Sequence, residues 1–526
     1  MMVFVSRPGL QAILAVVALF AAAPASALEL TARELAGKRI YLAGESPSGG
    51  DVVVKLGRDG STLPGTAAPC GSCHGADGLG RPEGGVRPSA VVWSELAKPY
   101  GHAHPGGRKH PPFTDATLAR TLRDGLDPAG NPLDVSMPRY GLSDDDLGSL
   151  AAYLRRLEED LDPGIAPDAL RIGTVLPTAG TLADVGLPMR AVLTGWFDAL
   201  NRRGGIHGRR VELVVACYDS DRADGVDAAR ALLRRDDLFA LVSGLFPAAE
   251  TEVAALVGEA RVPMIGPFSL FARNDDAAGA WIFHPSGGLG EQARVLGAFA
   301  MRDLGAGARR IAVVHAPEPP YAEAARGAAE ELRKRGGPAP EMLVLRSEPK
   351  ELADRLAKGG FGAVLVLAGD GALEGLARLL AGGKAAPALL ASGTLAGRAA
   401  TELAGRYPGA VFLAFPSSPS DESPAATQEL ARLREAAGSP RRSRASQASA
   451  VVDAIVLVEG LKRSGRALSR ERLVASLEAL YAFETGLSPP VTFGPDRRVG
   501  ALGAHVVRVD AAGKAFVPVG GWIPLE

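Results

Sequence analysis

Two thiols three positions apart, Cys70 and Cys73, stand directly before an imidazole at His74. Three chemistries could use such a cluster. A dithiol redox pair needs a βαβ frame around it, whereas Gly, Pro and Ala surround these cysteines. A structural zinc site needs a fourth ligand at suitable spacing, and the chain has no second cysteine pair. Covalent haem attachment uses all three residues, because both sulfurs add to the haem vinyl groups and the histidine ligates the iron. The expectation is one haem c, attached through Cys70 and Cys73, with His74 as one axial ligand.

A second axial ligand should follow in the same region. Met137, in Asp134-Val-Ser-Met-Pro-Arg-Tyr140, is the one methionine between the N-terminal segment and residue 162, and its rigid, proline-bounded loop suits a soft thioether ligand. Filling both axial positions with protein favours outer-sphere electron transfer over oxygen chemistry. His102, His104 and His110 sit in a Gly/Pro/Lys-rich loop and are expected at solvent, with an axial role for one of them as the alternative. Cys217 ends the β-like run Val211-Glu-Leu-Val-Val-Ala-Cys217 and is expected to be a buried structural thiol.

The elements around these residues fall into three regions, read as 28–161, a linker at 162–169, and 170–526. The first carries helical patterns at Thr31 to Tyr41, Asp115 to Asp124 and Ser143 to Glu159. Ser143 suits the N-cap of the last, with Asp144, Asp145 and Asp146 favourable at its dipole. The Pro- and Gly-bearing stretch Asp162 to Asp168 reads as the linker. Beyond it, apolar runs at Ile172 to Leu176, Val211 to Ala216, Ala240 to Val242, Val262 to Ile265, Ile311 to His315, Met342 to Leu345, Ala363 to Leu367 and Ala388 to Leu390 alternate with Ala-rich helical segments. That alternation predicts right-handed βαβ units and parallel sheets. Its length favours two lobes over one.

Composition narrows the function classes. A length of 526 residues exceeds one ordinary core, and a net charge of -1 excludes a strongly basic nucleic-acid binder. Arg441, Arg442 and Arg444 lie among Ser and Pro without aromatics and read as a solvated loop. Arg7, an apolar run from Leu10 to Ala23, and Ala25-Ser-Ala27 read as an export signal cleaved after Ala27, with an uncleaved anchor as the alternative. The periplasm is the expected compartment. Ala381-Gly-Gly-Lys-Ala385 lacks the upstream glycine and the hydroxyl of a P-loop, Gly369-Asp-Gly371 misses the dinucleotide fingerprint, and Asp219, Asp221 and Asp224 miss calcium-loop spacing. With no GxSxG either, the chain is expected to be an electron carrier and binder, not an enzyme.

The region from Leu30 to Glu159 resembles class I c-type cytochromes through Cys70-Gly-Ser-Cys-His-Gly75, Phe113-Thr-Asp-Ala-Thr-Leu-Ala-Arg-Thr-Leu-Arg-Asp-Gly125, and Met137-Pro-Arg-Tyr-Gly-Leu-Ser-Asp-Asp-Asp-Leu147 leading into Ala151-Ala-Tyr-Leu-Arg-Arg-Leu157. The resemblance implies a small all-α domain with His/Met-ligated haem. The rest resembles the periplasmic leucine/isoleucine/valine-binding family of ABC importers through Ile172-Gly-Thr-Val-Leu-Pro177, Ala199-Leu-Asn-Arg-Arg-Gly-Gly-Ile-His-Gly208, Tyr218-Asp-Ser-Asp221, Ile311-Ala-Val-Val-His315 and Phe483-Glu-Thr-Gly-Leu-Ser-Pro-Pro-Val-Thr-Phe-Gly494. This implies a two-lobed α/β periplasmic-binding-protein type I fold, so the chain is multidomain.

Carrying over that family's ligand site exposes departures. The loop Gly244-Leu-Phe-Pro-Ala-Ala-Glu250 has Pro247, Ala248 and Ala249 where hydroxyls would hold a ligand carboxylate, and Leu289 and Gly393 align with the two acidic positions. Burying an ammonium without a carboxylate costs several kcal/mol, so an α-amino acid is disfavoured. The expected cleft uses Phe246, Ala248, Phe268, Ser269 and Tyr321 with few fixed charges, which suits an alcohol, an aromatic acid or a related catabolite. Expected partners are that small molecule and a periplasmic dehydrogenase or cytochrome, with quinoprotein alcohol dehydrogenases entering by analogy alone, and an ABC permease if the protein serves import. The alternatives are an importer component with an accessory cytochrome and a redox-gated ligand sensor.

Overall fold

The computed structural model describes residues 28–525 except 58–59, 81–86, 105–106, 223, 248, 273–278, 306–309, 346–348, 382–385, 439–442 and 511–514. The export segment with its cleavage after Ala27, the pocket residue Ala248, the loop arginines Arg441 and Arg442, and most of the rejected P-loop stretch therefore lie outside the described residues. The chain divides into two compact units, 1–160 and 161–526.

The first unit is organised by helices. Helix α1 (Ala32–Ala43) opens on a capping box, in which Thr31 Oγ1 accepts from the Glu34 amide at 3.3 Å and Glu34 Oε2 accepts from the Thr31 amide at 2.7 Å. One helical turn, α2 (Cys70–His74), carries the cysteines and histidine, followed by α3 (Trp93–Leu96), α4 (Asp115–Asp124) and α5 (Asp144–Leu154). Ser143 caps α5 as expected, accepting from the Asp146 amide at 3.1 Å. The helix stops at Leu154, and turns carry the chain on towards Glu159.

Helices α1 and α5 cross where Gly37 lies against the Ser149 backbone, and Tyr41 and Tyr153 meet with ring centroids 5.8 Å apart. The core joins Ile40, Leu118, Leu122, Leu147, Leu150 and Leu154. An antiparallel sheet is added to this helical frame, with β1 (Val53–Leu56) between β2 (Ser61–Pro64) and the short strand Arg139–Gly141. It anchors the chain just past Met137. A two-stranded hairpin pairs β3 (His102–Ala103) with β4 (Lys109–His110). The strand Arg139–Gly141 is β5.

The second unit has two lobes, each a sheet flanked by helices. In the first lobe, β6 (Ala169–Ala179), β7 (Arg210–Asp219), β8 (Ala240–Val242), β9 (Met264–Ile265) and β10 (Ile282–Ser286) join the late strand Val499–Ala501 in the parallel order Val499–Ala501, β10, β9, β8, β6, β7. Helices α6 (Ala183–Arg202), α7 (Gly225–Leu233), α8 (Glu250–Ala260) and the long helix Arg444–Ser464 belong to this lobe. In the second, β11 (Arg310–His315), β12 (Glu341–Val344), β13 (Phe361–Leu367), β14 (Ala388–Ser392) and β15 (Val411–Phe415) run parallel in the order β12, β11, β13, β14, β15, and Gly503–Val509 adds antiparallel. Helices α9 (Leu289–Asp303) and α10 (Pro319–Lys334) cover it. Fully buried strands explain the near-continuous apolar runs.

Two local findings differ from expectation. Cys217 is exposed rather than a buried thiol, because β7 is the outermost strand of its sheet and is only half-covered over most of its length. The stretch expected as a linker is held to the second unit. The Arg171 amide donates to the Gly164 carbonyl at 2.8 Å, Arg209 Nε donates to the Ala166 carbonyl at 2.9 Å, and the Arg470 amide donates to Asp162 Oδ2 at 2.6 Å. Gly164 is required there, since its φ is +88° and a Cβ would lie 2.1 Å from the Phe239 amide nitrogen. Among the described residues no helix is long and apolar enough to cross a membrane.

Candidate functional site

The turn α2 places Cys70 and Cys73 at i and i+3, on one face, with His74 one position further. Two tyrosines hold it from either side. Tyr41 Oη donates to the Gly75 carbonyl at 2.7 Å, and Tyr140 Oη donates to the Ala68 carbonyl at 2.8 Å. Cys70 is buried and burial pushes its thiol up to about 12, so it stays protonated. Among the described residues no group of three or more His, Cys, Asp or Glu converges to hold a metal ion by itself.

His74 Nδ1 lies 2.8 Å from the Ser89 carbonyl oxygen. A carbonyl only accepts, so Nδ1 carries the proton and Nε2 keeps its lone pair. Orienting a ligating imidazole through its other nitrogen is the usual support for a metal-bound histidine. Burial lowers the His74 pKa and keeps the ring neutral.

A cavity of about 800 Å³ opens beside this turn, lined by Cys70, Cys73 and His74 on one side and by Met137 and Pro138 on another. Leu118, Leu122, Leu150 and Leu154 make its apolar wall. Met137 is half-buried against the core, and its loop is set by a Ser136 amide that donates to Asp134 Oδ1 at 2.9 Å and by Arg139, which donates to the Met137 carbonyl. Two thiols on one face, an oriented imidazole, a thioether and an apolar chamber fit a haem group. Cys70, Cys73, His74 and Met137 are all brought to this chamber.

The three histidines do not behave as a solvated loop. Cross-strand pairing of His102 with His110 puts both on one face of the hairpin, and all three line the same cavity. His110 is buried at 7% exposure, and His102 and His104 are half-buried.

In the second unit a cleft of about 440 Å³ is lined from both lobes. Phe246, Phe268, Ser269 and Phe271 line it, and Tyr321 supports the wall by packing edge-on against Phe271 at 5.3 Å. The expectation of few fixed charges is corrected: Glu250, Glu291, Arg294, Glu323, Arg326 and Glu330 line the cleft as well. They come from α8, α9 and α10, positions that the loop-by-loop reading passed over. Glu250 closes the very loop quoted for its lack of hydroxyls. Ser269 Oγ donates to Glu250 Oε2, the Leu270 amide donates to Oε1 at 3.4 Å, and burial nonetheless raises the carboxyl's pKa. Burial likewise raises Glu291, which accepts from the Gly288 amide at 2.8 Å. Leu289 is fully buried, so a carboxylate there would be desolvated, and a Cβ on Gly393 would strike the Phe415 ring at 2.2 Å.

A haem-type chamber in a small helical unit and a two-lobed α/β fold with a cleft define a ligand-binding module joined to a haem-binding unit. The family model for periplasmic binding proteins matches residues 169–514, and that for cytochrome c matches residues 58–158. The chain belongs to the periplasmic binding protein family and carries a cytochrome c domain, which implies covalently bound haem c. Among solved structures it is similar to the leucine-binding protein LivK of Thermotoga maritima, at 16% identity over 67% of this chain and 98% of that one, with a TM-score of 0.54. A type 1 periplasmic binding protein of Bordetella pertussis matches at 17% identity over 68% and 100%, TM-score 0.54. A fatty acid ABC transporter substrate-binding protein of Thermomonospora curvata matches at 18% over 70% and 95%, TM-score 0.53. At these identities the likeness is one of fold. No curated protein matches the chain.

Proposed function

We propose that the protein binds a small catabolite other than an α-amino acid between its lobes and carries one electron on a single haem c. Cys70 and Cys73 hold that haem covalently, and His74 and Met137 ligate its iron from opposite faces. The observation that carries the reading is the meeting of all four side chains on one apolar chamber. The haem unit is placed at 28–161 and the binding unit from there on, with the stretch 162–169 held to it, and export to the periplasm follows cleavage after Ala27 in this reading.

The cleft refines the ligand class. Buried carboxylates at Glu250 and Glu291 beside Phe246, Phe268 and Phe271 favour a ligand that donates hydrogen bonds, a hydroxyl or an amine. The loop from Gly244 to Glu250 supplies no hydroxyl for an α-carboxylate. An alcohol handled by a periplasmic quinoprotein dehydrogenase is the leading candidate, and that dehydrogenase or a cytochrome is the redox partner. Import through an ABC permease is the second reading, favoured by the fold shared with LivK.

A thermal-shift screen of the haem-loaded chain against alcohols, amines, aromatic acids and amino acids tests this. A ligand at about 100 times its Kd adds about 2.7 kcal/mol to the unit that binds it. Stabilisation by alcohols or amines is expected. Stabilisation by leucine or valine would overturn the ligand assignment and favour import.

A further inference from the structure

The hairpin β3–β4 holds three imidazoles against the chamber that contains Cys70, Cys73, His74 and Met137. Their ring centroids lie 5.2–5.7 Å apart. The hydrogen bonds fix their tautomers. His110 Nδ1 is 2.8 Å from the Pro111 carbonyl oxygen, so it must donate, and the lone pair of His110 sits on Nε2. His104 Nε2 lies 3.0 Å from that Nε2, so His104 donates through it and keeps its own lone pair on Nδ1. His102 Nε2 is 2.6 Å from the Glu95 carbonyl oxygen and donates there, which leaves its lone pair on Nδ1 too. All three rings are satisfied when neutral. Two basic nitrogens, Nδ1 of His102 and of His104, remain to accept a proton.

The surrounding charges set how many protons the cluster can hold. Arg108 belongs to the same hairpin connection and is tied to Asp127 at 2.9 Å from the turn after α4. Glu95 and Lys98, in and just after α3, pair with each other. Lys109 lies on β4, and Arg87 and Asp134 line the chamber. Burial lowers the His104 pKa, and Arg108 and the neighbouring histidines lower it further against the pull of Asp127. A second proton would place two imidazolium ions within about 6 Å in a partly desolvated site, where repulsion is several-fold stronger than in water. The cluster therefore takes up one proton, not two.

We propose that His102, His104 and His110 form a proton-binding site that fills when the neighbouring haem site is reduced and empties when it is oxidised. This rests on the haem reading of Cys70, Cys73, His74 and Met137. The bound haem supplies a one-electron ferric/ferrous couple. When an electron arrives from a one-electron donor, the chamber loses one positive charge, and a proton from solvent bonds to Nδ1 of His104 or His102. On reoxidation the electron leaves to an acceptor and that N–H bond releases its proton to solvent. The chain then carries a proton together with its electron.

The sign follows from linkage. Reduction raises the proton affinity of the histidines, so protonation in turn favours the reduced state and the midpoint potential falls as pH rises between the two affinities. For one proton per electron the limiting slope is a tenfold change in the redox equilibrium per pH unit, about 59 mV.

The test is a mediated spectroelectrochemical titration of the full haem-loaded chain across the acid-to-neutral range. The wild type, H104Q and H102Q are compared. We expect a falling potential in the wild type, a flattened profile in H104Q with an unaltered haem absorption spectrum, and a partial loss of slope in H102Q. A pH-independent wild-type potential, or an unchanged slope in both variants, overturns the proposal while leaving covalent haem intact. Failure to form covalent haem at all would instead sink the haem reading on which it stands.

Discussion

Gly37 offers the sharpest test of the frame around the haem chamber. A Cβ there would lie 2.1 Å from the Ser149 carbonyl oxygen and 2.7 Å from Tyr153 Cβ. Both are close to rigid, so Gly37→Ala forces α1 and α5 apart by about 1 Å to restore van der Waals contact. That movement drags Tyr41, whose hydroxyl holds the Gly75 carbonyl at 2.7 Å behind His74. Overpacking of this kind costs about 1–3 kcal/mol, offset by about 1 kcal/mol of improved helix propensity. Gly148, on α5, is the control. Its Cβ would meet the guanidinium of Arg33, nearest at Nη2, 2.1 Å, the far end of a flexible side chain. Gly148→Ala should therefore keep most of the propensity gain, up to about 1 kcal/mol. Denaturant unfolding of the haem-loaded chain, followed through haem absorption, should lower the midpoint for Gly37→Ala and raise or preserve it for Gly148→Ala. Equal shifts in the two variants would refute the claim that a backbone contact at Gly37 sets the helix crossing.

Cys70→Ser and Cys73→Ser should each leave haem attached through one thioether, and the double variant should lose haem under denaturing electrophoresis. Met137→Ala should keep covalent haem but open the iron to added imidazole, read as a saturable change in the absorption spectrum, whereas the wild type should respond far more weakly. Asp453, on the long helix Arg444–Ser464, is buried, accepts a hydrogen bond from Ser243 Oγ, and burial raises its pKa well above the ordinary aspartate value. A raised carboxyl contributes stability that is full below the unfolded pKa and is lost as pH rises towards the folded one. Relative to Asp453→Asn, the wild-type binding unit should lose about 1.4 kcal/mol per pH unit above pH ~4 until the folded pKa is passed, and parallel stability profiles would contradict this.

What the sequence revealed follows from how local each signal is. Cys70, Cys73 and His74 lie within five residues, and Met137 is the lone methionine in its region, so spacing alone singled them out. Strands such as Ala240–Val242 and Arg310–His315 are buried apolar runs and were visible as such. The strand Ile282–Ser286 was not, because His284 and Pro285 break its pattern while the neighbours β9 and Val499–Ala501 make it a strand. The added sheet in the first unit depends on β1 pairing with Arg139–Gly141, more than 80 residues away. Exposure of Cys217 reflects the edge position of β7, which is a property of strand order rather than of composition.

The functional groups that sequence reasoning misjudged share a cause. His102, His104 and His110 looked like a polar loop because the relation that matters is cross-strand register, and their chemistry is fixed by carbonyls of Glu95 and Pro111. His74 is oriented in the same manner by Ser89. Residue type says that an imidazole can bind iron or a proton. Which nitrogen holds the lone pair decides from which side it acts, and that choice is made by a backbone oxygen whose own residue can be almost any type. Glu250 repeats the lesson in the cleft: a carboxylate at the end of an apparently apolar loop accepts from Ser269 and is desolvated by burial. In both units the polar side chains are written in the sequence, while the direction in which they point is set by backbone placement, so variants that preserve side-chain type but move these carbonyls should alter both sites most.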